Sequence, residues 1–382
     1  MLISIQPFGL NALGGGSRIL RALFTEAPLS VLNVCTSANK PLPTSIAPEI
    51  HIPVRAAFGR LERSRLAPIC GRVEPFFKRR FEHRLREMLQ RATVVHAVAH
   101  GADCISAFHL ARAQNLPFFI TVHDDLKYLL RKRPWQTAMI GEFGRVWCES
   151  NGRFVISEAI GLEYCRRYGD RPFVWVTDGL TSFASEAKRI PTSGTLRIYF
   201  MGLFNLPYRE NLRALLAALR CTEVNRLGFR IELVFRCGSL PRGFTDTVPK
   251  ITVLPFDSEQ AVAADLANAD LLYFPLPFGK QFESSTAFSL STKLVSYVGS
   301  GIPILYHGPE DSAAGNLLKQ HDAAICVPSL DTKEIAAALR RIVHAPDEPL
   351  NKARQALRLA QDSFQLNDQR RKFWEPVLKS IN

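Results

Sequence analysis

The chain has 382 residues, more than one hydrophobic core usually serves, and its 47% hydrophobic and 22% charged residues exclude a disordered or fibrous protein. No apolar run reaches the ~20 residues that a membrane-spanning helix needs, and the opening "MLISIQPF" reads as a strand without the basic start of a signal peptide, so a cytoplasmic protein is expected. The formal net charge of +13 is uneven, with 24 Lys and Arg against 15 Asp and Glu in residues 1–185 and 24 against 20 in the rest; such an excess attracts nucleic acid, anionic lipid or a phosphorylated substrate.

Short apolar runs with helical stretches between them open the chain: "LISI" (2–5), "LSVLNVC" (29–35), "TVVHAV" (93–98), "PFFITV" (117–122), "RFVIS" (153–157) and "PFVWVT" (172–177). This alternation predicts a parallel sheet covered by helices. The polar stretch "FASEAKRIPTSGT" (183–195) reads as a linker. A second series follows: "LRIYFM" (196–201), "RIELVFR" (230–236), "ITVLPF" (251–256), "LLYFP" (271–275), "PILY" (303–306) and "AAICV" (323–327). Leu212, Leu215, Leu216 and Leu219 repeat at helical spacing, as do Ile335, Leu339, Ile342 and Val343, with Asp331 and Glu334 placed as a cap and its partner. The expected organisation is therefore two α/β halves, residues 1–185 and 186–362, and a C-terminal helix in 363–382.

The eight cysteines are scattered without a Cys-x-x-Cys pair, which predicts reduced thiols and no zinc site. In an open parallel sheet ligands bind outside the carboxyl ends of the strands, and helix N-termini facing that side favour phosphate. Ser289, Ser291 and Thr292 stand at such a helix start, with Lys293 adjacent. Spacing alone leaves two readings open there, a diphosphate site or an ordinary hydroxyl cap.

The segment "STKLVSYVGSGIPILYHGPEDS" resembles the donor-side segment of GT-B glycosyltransferases, in particular those similar to family 4, whose members often read S-x-K-L-x-E-Y-x-x-x-G-x-P-V. "YFMGLFNLPYRENLRALLAAL" and "LVFRCGSLP" resemble the opening of that family's donor domain, and "ITVHDD", "RFVISEAIGLEYCRRYG" and "VWVTDGL" follow the order of its first-domain segments. The resemblance implies an α/β fold of GT-B architecture, two Rossmann-like domains facing a cleft, with the C-terminal helix crossing back to the first domain. The first domain would take the acceptor and the second the nucleotide sugar.

It further implies a retaining transferase that moves a sugar to a glycan or lipid-linked acceptor in surface polysaccharide or glycoconjugate assembly, with no cofactor or metal. Carried over residue by residue, His123 matches the histidine near the transferred sugar, and Gly14, Gly15 and Gly16 match the first glycine loop. Gly202 and Gly238 match the strand-end glycines. Ser289, Ser291, Thr292 and Lys293 would meet the donor diphosphate, with Arg209 or Arg236 substituting for the arginine usually found where Leu203 stands. The family's two motif glutamates fall on Phe288 and Ser296, so Ser296 would occupy the ribose pocket without a carboxylate. A non-catalytic GT-B partner protein and a nucleotide-sugar epimerase or hydrolase are the alternatives. The basic stretches "FFKRRFEHRLREMLQR" (76–91) and "KYLLRKRPW" (127–135) suit peripheral contact with an anionic membrane, and no nucleic-acid-binding motif accompanies them.

Overall fold

The structure is a computed structural model that describes residues 1–54, 67–130, 138–204, 206–241, 243–244, 249 and 251–381. The chain divides into two compact units: residues 1–179 with 366–382, and residues 180–365. Most of the "KYLLRKRPW" cluster lies outside the described residues.

The first unit holds a seven-stranded sheet of β1 (Leu2–Gln6), β2 (Val31–Cys35), β3 (Glu49–His51), β4 (Val94–Val98), β5 (Phe118–Val122), β6 (Gly152–Val155) and β7 (Val174–Trp175). Its order is β3-β2-β1-β4-β5-β6-β7, with every pair parallel. All residues of β1, β4 and β5 are buried, as expected of strands covered by helices on both faces. The apolar runs mark these strands well. Strand β3 escaped that reading, because "EIH" is three residues long with two polar ends.

The second unit repeats the plan with β8 (Gly194–Met201), β9 (Phe229–Arg236), β10 (Ile251–Leu254), β11 (Leu271–Pro275), β12 (Ile304–His307) and β13 (Ile325–Val327) in the order β10-β9-β8-β11-β12-β13, again all parallel. Strand order thus reverses between β1 and β4 and between β8 and β11, where a crevice forms outside the carboxyl ends. Leu212, Leu215, Leu216 and Leu219 enter the core from the Arg209–Leu219 helix, as their spacing predicts. Asp331 caps the Thr332–His344 helix by accepting from the Lys333 amide at 2.8 Å. Glu334 does not close a reciprocal box: its carboxylate accepts from the Ser329 hydroxyl at 2.9 Å, and that hydroxyl accepts from the Asp331 amide at 3.1 Å.

The stretch read as a linker is fastened to the second unit. Ala184 and Lys188 donate backbone bonds to Gly299 and Gly301 at 3.0 and 2.7 Å, and Ile190 is fully buried. The Leu366–Lys379 helix belongs to the first unit. Trp374 Nε1 donates to the Leu23 carbonyl at 2.8 Å, and the Phe373 ring lies 4.7, 5.3 and 6.0 Å from the rings of Phe154, His96 and Phe24. Beneath it His96 is locked between Ser4 at 2.9 Å and Thr121 at 2.6 Å, and burial holds its pKa down to about 3. Among the described residues no helix is long and apolar enough to cross a membrane, and the seven cysteines described are free.

Phe373→Ala should destabilise the first unit by about 3–5 kcal/mol, the usual cost of emptying a buried phenylalanine site. Urea unfolding followed by tryptophan fluorescence would measure it.

Candidate functional site

In the second unit the site is built around one cation. Strand β8 ends at Met201, and Gly202 adopts φ +101°, which a side chain would strain. A Cβ there would also lie 3.1 Å from Lys293 Cε, so glycine lets the lysine pass against the backbone. Lys293, the second residue of the Thr292–Val298 helix, is buried. Its Nζ stands 3.9 Å from the centre of the Phe200 ring and 5.4 Å from that of Tyr208. Two aromatic faces stabilise the ammonium in part. No carboxylate among the described residues pairs with it, and burial pushes its pKa down to about 7, the Cys237 thiol opposing that shift.

The hydroxyls beside it differ in availability. Ser291 is the helix cap and accepts from the Lys293 amide at 3.3 Å, so part of its capacity is committed to the fold. Thr292 and Ser296 are half-buried and one helical turn apart on the same face. Ser289 ends the preceding Glu283–Phe288 helix, donating its amide to the Ser285 carbonyl at 3.1 Å.

Arg236 closes β9 directly beside Met201 of β8. Its guanidinium is engaged by the Asp265 carboxylate and by the Pro255 carbonyl at 2.8 Å, while Tyr199 donates to Asp265 at 2.9 Å. That network makes Arg236 an anchor between strand and helix. Gly238 turns with φ +74°, and a Cβ there would meet the Phe256 ring at 2.8 Å. Arg209, first residue of its helix, is half-buried, and its Nε has no hydrogen-bond partner. Sequence reasoning passed over Phe200 and Tyr208, whose rings hold Lys293, and Asn211, whose amide nitrogen donates at 2.9 Å to the carbonyls of both Leu276 and His307 and so pins the loops leaving β11 and β12.

In the first unit the glycine loop and His123 come together. Gly14 caps the Gly15–Phe24 helix and has open space where a Cβ would stand. Gly16 is sterically required, since its Cβ would meet Phe8 Cζ at 2.6 Å and His123 Nδ1 at 3.1 Å. His123, just beyond β5, is buried with neither ring nitrogen bonded. It stacks on Phe8 at 6.2 Å and meets His100 edge-on at 6.1 Å. Burial, reinforced by His100 and His96, holds its pKa well below the ordinary histidine value. A neutral ring offers one donor and one acceptor to a ligand and no positive charge. The first turn of the helix is fixed by the ion pair of Arg18 with buried Asp178 at 2.7 Å. Among the described residues no group of three His, Cys, Asp or Glu side chains could hold a metal ion.

Two sheets of this order and connection define a GT-B fold, and solved structures agree. The chain superimposes on sucrose-phosphate synthase from Thermosynechococcus elongatus with a TM-score of 0.70 at 13% identity, covering 99% of this chain and 98% of that one. It superimposes on Anabaena HepE in complex with UDP-glucose with a TM-score of 0.62 at 12% identity, covering 99% and 100%. For the E. coli trehalose-6-phosphate protein OtsA bound with UDP-2-fluoro glucose the values are 0.65 and 12%, covering 100% and 99%. No protein-family profile and no curated protein sequence matches the chain.

Lys293→Met should stabilise the second unit at pH 7. The unfolded lysine keeps its proton to about pH 10, whereas the folded one loses it near pH 7. The cost of burying the charge is thus full below pH 7 and relieved as pH rises, at about 1.4 kcal/mol per pH unit between those values. Urea midpoints of wild type and variant should converge towards pH 10.

Proposed function

We propose that the chain is a retaining glycosyltransferase that uses a nucleotide-sugar donor. The observation that carries this reading is Lys293, a buried cation without a carboxylate, held against Gly202 at the carboxyl end of β8. Burying an ammonium without a counter-ion is costly, and an incoming diphosphate would supply the missing charge. The Thr292 hydroxyl adds a donor beside it, Ser296 would face the ribose, and Arg209 has an unused Nε. The UDP and UDP-glucose in the HepE complexes support a uridine donor.

In this mechanism the cation and helix dipole stabilise the departing diphosphate. Its own oxygen takes the proton of the attacking hydroxyl on the same face of the sugar, so configuration is retained and no carboxylate pair is needed. The resemblance assigns His123 to the transferred sugar, where the neutral imidazole would hydrogen-bond a hydroxyl. The acceptor would be a glycan or lipid-linked sugar of a surface polysaccharide or glycoconjugate. For membrane contact the support is the Ala67–Leu89 helix: Phe81, Leu85 and Leu89 face the core, while Arg79, Arg80, Arg84 and Arg86 are exposed beside Phe76, itself 68% exposed. A second reading, a GT-B protein that binds a sugar nucleotide and transfers nothing, is favoured by Phe288 and Ser296 standing where the family carries glutamates.

Calorimetric titration with UDP-, GDP-, ADP- and dTDP-sugars tests the proposal. Saturable binding of one of them, weakened at least tenfold by Lys293→Ala, is expected. Because only the protonated lysine attracts the diphosphate, affinity should fall as pH rises above about 7 in wild type and stay flatter in the variant. Silence across the panel sinks the donor assignment, and binding without any transferred product selects the second reading. His123→Ala should lower turnover at least tenfold and leave the nucleotide dissociation constant within a factor of about two.

A further inference from the structure

His123 is buried, yet among the described residues neither of its ring nitrogens has a hydrogen-bond partner. Its ring neighbours are Phe8, stacked at 6.2 Å, and His100, edge-on at 6.1 Å, contacts that orient a ring less sharply than a hydrogen bond does. The direction of the imidazole is therefore set largely by the backbone on either side of it. Upstream, β5 ends at Val122, whose carbonyl accepts from the Ile156 amide at 3.1 Å. Downstream the chain leaves the sheet, and a different element has to hold it.

That element is the Glu158–Tyr168 helix. Tyr164 and Arg167, three residues apart and so on one face of it, reach the turn that follows His123. Arg167 donates through both terminal nitrogens to Asp125, at 2.6 and 3.3 Å, and that carboxylate is completely buried. The Tyr164 hydroxyl accepts from the Leu126 amide at 2.9 Å and donates to Asp125 at 3.5 Å. Burial, with Asp125 beside it, pushes the Tyr164 pKa well above the ordinary tyrosine value, so the hydroxyl keeps the proton it donates. Asp125 also accepts from the Lys127 amide at 3.3 Å, and its own carbonyl accepts from the Leu129 amide at 3.0 Å. The guanidinium is oriented in turn by Glu163, whose carboxylate accepts from Nε at 2.5 Å. A buried ion pair adds little net stability, because taking two charges out of water offsets their attraction. What a two-pronged pair supplies is geometry, fixing distance and angle together.

We infer that Asp125, Tyr164 and Arg167 are positioning residues for His123: they fix the turn from which the ring projects, and with it the direction of the two unpartnered nitrogens. The kinetic consequence rests on the glycosyltransferase reading; the positioning rests on the contacts. Full-length protein with histidine labelled by 13C at Cε1 would be compared by NMR, the His123 signal being the one lost in His123→Ala. Asp125→Asn should shift or broaden that signal. Should that variant fail to fold, Tyr164→Phe, which removes a single hydroxyl, should do the same. With a sugar nucleotide that wild type turns over, the folded variant should lower turnover by roughly tenfold or more and leave the nucleotide Kd within about twofold. In the His123→Ala background the same substitution should cost less than about twofold further, since a residue that acts through the ring has nothing left to act on, whereas a general loss of stability would add in full. An unmoved His123 signal in a folded variant overturns the proposal, and so does a fully additive loss in the double variant. If wild type transfers sugar from no donor, the transferase reading falls, and the His123 signal alone decides the positioning.

Discussion

Parallel strands cannot be joined by a tight turn; each needs a crossover long enough to return to the sheet's starting edge. That constraint organises both units. Once β1 has sent successive crossovers to one side and then to the other, the loops leaving β1 and β4 diverge, and the same happens at β8 and β11. At these two places the loops leave the sheet in opposite directions and open room beyond the strand ends. Gly202, the Lys293 side chain, Phe8 and His100 are all recruited there, and all owe their positions to the strand order.

Within the second unit the decisive local fact is a charge left without an opposite. Arg236, Arg197 and Lys188 are each paired, with Asp265, Glu232 and Asp270. The lysine that the fold buries most deeply beside Gly202 has two aromatic faces instead. The contrast separates charges that hold the framework together from one that the framework holds ready.

Much of the fold was legible because parallel strands buried on both faces must be continuous apolar runs, and β1, β4, β5 and β11 read that way without ambiguity. Strand β3 was not, since three residues at a sheet edge need no apolar pattern. The Ser291-Thr292-Lys293 helix start was visible as residue types at a helix start, but the burial of Lys293 depends on Phe200 and Tyr208 from distant segments. Arg236 illustrates the converse: an arginine at a strand end reads as a ligand contact until Asp265 is seen beside it. In the basic stretch 76–91, Phe81, Leu85 and Leu89 are buried while Arg79, Arg80, Arg84 and Arg86 are exposed, a division that follows from their spacing on the Ala67–Leu89 helix.

The last helix gives the molecule an order of events. The first unit is interrupted at residue 179 and resumes only at 366, so the whole second unit is inserted into it. Phe24, His96 and Phe154 reach their final packing only when Phe373 arrives. On the ribosome, the second unit has its full sequence before the first does, and the earlier-made domain is the later to finish. Until the Leu366–Lys379 helix emerges, the nascent first sheet lacks the packing of Phe373 and Trp374, and that helix acts as the closing stitch of a domain begun more than three hundred residues earlier.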